Sequence, residues 1–249
     1  MDLGLKNKKT VISGGSKGIG FAIAQQFIAE GAEVYICARQ QKGIDEAVAA
    51  LGNKARGAVV DISDPKQIKT WIDQAHKEMG GIDIVVSNVS ALASGPDLET
   101  WKKAADIDLF GNIALMNATV PYLTKQKSGN IIIISTVSAV EIDGFSEPYG
   151  SLKAALNHYG KSLALRLAND NVRVNMVSPG NVYFKGGIWN KIETENPEFF
   201  QKCLKKNPMG KMVTAESVAS SVLFLASQQA EFITGSNLVI DGGLTKKVF

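Results

Sequence analysis

Short runs of β-branched and apolar residues recur along this chain, each followed by a longer stretch with helical spacing. That alternation limits the fold more than any other feature. "KTVISG" (Lys9 to Gly14), "EVYICA" (Glu33 to Ala38), "GAVVD" (Gly57 to Asp61) and "DIVVSN" (Asp83 to Asn88) read as buried strands. "NIIIIS" (Asn130 to Ser135), "VRVNMV" (Val172 to Val177) and "NLVID" (Asn237 to Asp241) read the same way. Strands without a polar face need cover on both sides, which a parallel sheet flanked by helices provides. Between the strands, "GIGFAIAQQFIAEG" closes on Gly31, Asp64-Pro65 opens a helix that runs to "KEMGG", one long helix covers Leu98 to Thr124, and another begins at Pro148. The order predicts an α/β fold, a doubly wound seven-stranded parallel sheet with helices on both faces. No repeat or linker divides the chain, so residues 1–249 read as a single domain. Gly180 to Met209 breaks the rhythm and reads as a long, polar, aromatic-studded loop, a length usually kept for function.

The glycines then say what the sheet is for. "SGGSKGIG" follows the first strand, with Gly14, Gly18 and Gly20 in a GxxxGxG pattern. A turn at the first strand-helix junction of such a Rossmann-like sheet aims backbone N–H groups, here those of Ser16, Lys17, Gly18 and Ile19, and a helix N-terminus at a pyrophosphate. An ordinary flexible turn is the alternative, and the turn's position argues against it. NAD-binding sites carry an acidic residue about 20 positions on, for a ribose hydroxyl. This chain has Ala38-Arg39 at the end of its second strand instead, and a guanidinium suits a 2′-phosphate. Lys17 adds a second cation, so the expected cofactor is NADP(H). Asp61, with Ile62 beside it, is a candidate contact to the adenine; its other role is to cap the Ile62-Ser63 turn.

"PYGSLK" (Pro148 to Lys153) places Tyr149 four residues ahead of Lys153 on one helix face. A phenol titrates near pH ~10, and a neighbouring cation and the positive end of a helix both favour its ionised form. Alone the pair is also an unremarkable helix start. Bulk properties exclude other classes. A net charge of +3 and the lack of long like-charge runs argue against nucleic acid. No apolar stretch approaches the ~18 residues of a membrane helix, and the first residues do not resemble a signal peptide. Two distant cysteines, Cys37 and Cys203, and two histidines, His76 and His158, suggest neither a disulfide nor a metal site. A soluble, cytoplasmic protein is expected.

Taken together, the GxxxGxG turn, "SNVS" after strand four, "IIIISTVS" at strand five, YxxxK, "SPG" after strand six and "FITGSNLVIDGG" near the end resemble the short-chain dehydrogenase/reductase family, in its roughly 250-residue single-domain branch. The resemblance spans essentially the whole chain. It implies that Tyr149 is the general acid or base and that Lys153 lowers its pKa while holding the nicotinamide ribose. It also implies cofactor contacts from Asn88, Pro179, Gly180 and Val182. A serine should polarise the carbonyl and an asparagine should hold a proton-relay water. At the serine position, thirteen residues before the tyrosine, stands Thr136, with Ser138 two further on; both are also ordinary strand-end hydroxyls. "DIDLFGN" puts Asp108 where asparagine is usual, and an ionised carboxylate only accepts hydrogen bonds. Ser90 replaces a glycine, and Phe184 stands where a threonine commonly meets the nicotinamide.

The resemblance further implies a substrate lid at about 183–209, whose Trp189, Phe199 and Phe200 suit an apolar carbonyl compound or simply pack the lid. A homotetramer or homodimer is implied, built on the two long helices, with Ala154, Ala155, Leu163 and Leu167 suiting either that contact or the core. The function expected is interconversion of a ketone and a secondary alcohol by hydride transfer. Reduction of a 3-oxoacyl group on a carrier protein or CoA is the alternative: Lys125 and Lys127 keep half of a basic patch, while "NDN" (Asn169 to Asn171) replaces the rest. A non-catalytic NADP-binding sensor or scaffold is the alternative of another class.

Overall fold

The computed structural model describes residues 2–142 and 147–248. Seven parallel strands form one sheet: β1 (Lys9–Ser13), β2 (Glu33–Ala38), β3 (Ala55–Val59), β4 (Ile84–Ser87), β5 (Gly129–Ile134), β6 (Val172–Pro179) and β9 (Asn237–Ile240). Their spatial order is β3-β2-β1-β4-β5-β6-β9. The chain starts in the middle, winds out to β3, then crosses back to β4. The switch point between β1 and β4 is where such sheets open a crevice at the carboxyl ends of their strands.

Alternate side chains along each strand enter two different cores, as a period of two requires. Ile12, Val34, Ile36, Ile132 and Ile134 pack under α1 (Gly18–Ala29), α2 (Gln41–Leu51) and α9 (Ala215–Ala226). Val11, Tyr35, Cys37, Ile131 and Ile133 pack on the other face, under α3 (Pro65–Met79), α5 (Asn112–Gln126) and α6 (Glu147–Leu167). Burial in the second core pushes the Cys37 thiol up to about 12. Leu163 and Leu167 also belong to it, so they serve the core, whereas Ala155 faces outward. Among the described residues, no helix is long and apolar enough to cross a membrane.

Two elements differ from the sequence reading. The helix expected from Leu98 to Thr124 is interrupted: α4 (Leu98–Ala105) gives way to a π-helical turn, Asp106–Gly111, before α5 begins. Hydrophobic periodicity runs through both helices and carries no mark of one widened turn. The loop expected from Gly180 to Met209 instead contains α7 (Ile188–Glu195) and α8 (Pro197–Lys205). It also contains β7 (Val182–Tyr183), which pairs with β8 (Val213–Thr214). Asn196 separates the helices and caps the second through the Phe199 N–H. Phe200, Cys203 and Met212 form a small core of their own with Tyr183, Trp189 and Phe199 around them. Tyr183, Trp189, Phe199 and Phe200 therefore pack on one another within this segment.

Candidate active site

The carboxyl ends of β1, β2, β4, β5 and β6 carry most of the residues singled out for the cofactor, together with Thr136 and Ser138; Tyr149 and Lys153 come from α6 and Asp108 from the π turn. After β1, Gly14 and Gly18 hold positive φ, 70° and 55°, the region glycine enters at little cost. Gly20 lies so close under the turn that a Cβ there would collide with the Gly14 carbonyl. Asn88 fastens the turn from β4, its side-chain amide donating to the Ser13 and Gly14 carbonyls at 3.1 and 3.2 Å. Its own backbone N–H donates to Ser13 Oγ at 2.9 Å. Ser13 was not singled out from the sequence; a strand-end serine carries no signal of such a bond.

Helix N-termini separate into two kinds. Those of α3, α4, α8 and α9 are closed by side chains of Asp64, Asp97, Asn196 and Thr214. Those of α1 and α2, beside the glycine turn, and of the short α7 have no side-chain cap and no acid in the first turn. Their first N–H groups are left to another acceptor, and a phosphate is the acceptor such ends suit. Lys17 stands at the start of α1 and Arg39 just before α2, both exposed. Ser16 packs beside Gly43 on α2. These residues fit a nicotinamide dinucleotide.

Asp61 lies two residues beyond β3 rather than at its end. Its carboxylate accepts from the Ser63 N–H and hydroxyl at 2.9 and 2.7 Å, which with Arg39 nearby holds its pKa low. It therefore does cap the turn. The Ile62 side chain is buried in the core below. After β6, Pro179 ends the strand, the Gly180 N–H donates to the Ile240 carbonyl at 3.1 Å, and Val182 continues into β7. The outer end of the Phe184 ring lies against the glycine turn: a Cβ on Gly18 would stand 2.7 Å from it.

The chemical groups converge from β5, α6 and the π turn. Tyr149 is half-buried in the first turn of α6, with Lys153 on the same face and 1 % exposed. Lys153 Nζ donates to the Ile134 carbonyl at 3.1 Å and lies 3.8 Å from an Asp108 carboxylate oxygen. Asp108 is fully buried and accepts the Ala91 N–H at 3.2 Å. Burial pushes its pKa up, while Lys153, Ser90 and the Ala91 N–H pull it back. Burial likewise pushes the Lys153 amine down, and Asp108 opposes that. Thr136 accepts the Ser138 N–H at 3.2 Å and donates its hydroxyl proton to Ser138 Oγ at 3.3 Å. Ser90 Oγ accepts the Leu92 N–H at 3.1 Å, so the residue standing for glycine organises its own loop.

Asn112, one turn beyond Asp108, was also missed. It is buried, donates to the Ile107 and Asp108 carbonyls at 2.9 and 3.1 Å, and accepts from the Ser87 hydroxyl. The widened turn displaces backbone carbonyls from their helical partners, and Asn112 satisfies two of them. An asparagine inside a helical pattern was its only trace in the sequence.

A family model described as "Enoyl-(Acyl carrier protein) reductase" matches residues 14–245. The chain is 32% identical over 250 residues to isoepoxydon dehydrogenase patN of Penicillium expansum, covering 97% of this chain and 96% of that protein. It is 32% identical to sorbose reductase SOU1 of Candida albicans, covering 97% and 88% respectively. To human dehydrogenase/reductase SDR family member 4 it is 33% identical, covering 98% and 90%. The crystal structure of levodione reductase superposes with a TM-score of 0.90 at 22% identity, covering 96% of this chain and 97% of that one.

Proposed function

The chain belongs to the short-chain dehydrogenase/reductase family, and on that premise we propose that it is an NADP(H)-dependent oxidoreductase interconverting a ketone and a secondary alcohol. The observation that carries the reading is the α6 pair: Tyr149 at the site's edge, and Lys153 a turn below it, buried and tied to the end of β5.

A bound nicotinamide supplies the hydride to the carbonyl carbon. Tyr149 gives its phenolic proton to the carbonyl oxygen and recovers one from solvent afterwards. Lys153 stabilises the phenolate left between those events. Ser138 donates to the same oxygen as negative charge builds on it. Because Thr136 spends its hydroxyl proton on Ser138, Ser138 is the polarising group and Thr136 stands behind it. Asn88 holds the turn under the cofactor, and the N–H groups of Ser16 to Gly20 with the start of α1 take its pyrophosphate. Arg39 and Lys17 take the 2′-phosphate, which is why the phosphorylated cofactor is proposed. Pro179, Gly180 and Val182 border the nicotinamide side, and Ile62 and Asp61 the adenine side.

The 3-oxoacyl alternative gains little support. Lys127, one of the two lysines that keep half of its basic patch, forms an ion pair with Asp170. The sorbose reductase among the relatives directs the search to ketoses and other small ketones, and levodione is one to include. Exposed Leu98, Phe110 and Leu165, on α4, the π turn and α6 in that order, support a homodimer or homotetramer built on those helices.

The test is NADPH oxidation with levodione, sorbose and a wider ketone panel, wild type against Tyr149→Phe. Loss of the phenolic proton donor should lower kcat by about 10²-fold or more while NADPH affinity holds. If both proteins bind NADPH tightly and neither turns over any ketone, the non-catalytic alternative replaces this reading.

A further inference from the structure

The Lys153 ammonium is buried beside a carboxylate, and the surroundings of that carboxylate give it a task. Asp108 sits in the π turn and faces two donors at once. The Ala91 N–H approaches its oxygens at 3.2 and 3.3 Å, and the Lys153 ammonium lies at 3.8 Å. Ser90 adds a further hydrogen bond. Three segments, the loop after β4, the π turn and α6, are joined on one carboxylate. An asparagine amide cannot substitute without cost. Its single oxygen would serve one donor, and its NH2 would be turned on the other, donor against donor.

No other charge competes for Lys153 among the described residues. On the same turn, Asp106 is exposed. On α6 the nearest titratable group is Tyr149. The segments after β4 and β5 bring only the hydroxyls of Ser90, Thr136 and Ser138. Beyond them, Glu141 accepts the Lys246 N–H at 2.8 Å.

We infer that Asp108 is the positioning residue of this site: its carboxylate fixes the Lys153 ammonium against the end of β5 and keeps it charged beside Tyr149. The inference rests on the proposed reaction for its consequence in turnover, though not for its electrostatics. Burial works against the ammonium, and Asp108 is what opposes burial. Removing the carboxylate leaves Lys153 less able to stay protonated. Ketone reduction draws on that cation to stabilise the phenolate, so its alkaline limit moves to lower pH.

Two measurements on the full chain test this. The first follows Lys153 by NMR in protein carrying 13Cε-labelled lysine, assigned with Lys153→Arg, as pH is raised. In Asp108→Asn the Lys153 midpoint should fall by about one unit or more relative to wild type; an unchanged or higher midpoint overturns the inference. Should Asp108→Asn not fold, wild type decides alone: Lys153 must be cationic at pH 7, and a neutral amine there overturns the inference. The second is the pH profile of kcat with levodione and NADPH. The alkaline limb should move down by a similar amount in Asp108→Asn and return towards wild type in Asp108→Glu, which restores the charge. An Asp108→Asn limb that stays put while kcat falls assigns the residue a merely structural role and overturns the inference. A shifted NMR midpoint in a protein inert towards every ketone fails the proposed reaction and leaves the electrostatic assignment standing.

Discussion

The two halves of the sheet meet at the same crevice with opposite means. The half from β1 to β3 offers backbone: a glycine turn, two helix starts without side-chain caps, and exposed cations at Lys17 and Arg39. The half from β4 to β6 offers buried side chains: Asp108, Asn112, Thr136 and Lys153 are all nearly or fully inaccessible. A cofactor that must enter and leave suits N–H groups that water can satisfy meanwhile. A proton donor whose acidity must be tuned suits a dry setting, where each neighbouring charge acts strongly. The first half should therefore fail through binding, and the second through turnover and pH dependence.

The largest effect that would break this division is expected at Gly20. Gly20→Ala puts a methyl group into the Gly14 carbonyl, and relief must come from the turn itself. NADPH affinity, read by fluorescence titration, should fall about 100-fold or more, given that overpacking costs about 1–3 kcal/mol and the displaced N–H groups are lost as well. Near-normal affinity would show that the turn does not carry the phosphate. Next is Arg39→Asp, which should weaken NADPH by about 10- to 100-fold, the worth of hydrogen bonds to a charged group, and leave NADH within a few-fold. Equal losses for both cofactors would remove the guanidinium from the 2′-phosphate.

The second half is sharpened by Asn112→Ala. Two backbone carbonyls and the Ser87 hydroxyl lose their partner, so urea denaturation should report a loss of about 1–3 kcal/mol, with kcat lowered and NADPH affinity little changed. The smallest effect belongs to the lid. Asn196→Ala removes the cap of α8 and should cost about 1 kcal/mol or less, visible as faster amide exchange confined to α8. If that variant altered NADPH binding as well, the lid would have to be counted with the first half.

The sheet was legible because burial on both faces is written in consecutive residues: the four isoleucines of β5 and the Val34-Tyr35-Ile36-Cys37 run of β2 cannot serve an exposed strand. Asp64-Pro65 and Gly80 marked the ends of α3 for a similar local reason, a cap and a left-handed exit, φ 69°. The lid helices were missed because α7 and α8 are short and separated by a single asparagine, and their apolar residues pack within the lid. The π turn was missed because one extra residue in a turn leaves the helical pattern on either side intact.

Local sequence determined the parallel sheet, the phosphate-seeking turn and the pairing of Tyr149 with Lys153, since each depends on neighbours within a few residues and on the period of one element. Tertiary structure alone decided the company Lys153 keeps. Asp108 lies 45 residues away in the chain, and only the winding of the sheet and one widened helical turn bring its carboxylate to the amine. Burial, which no single segment possesses, then gives that meeting its electrostatic force.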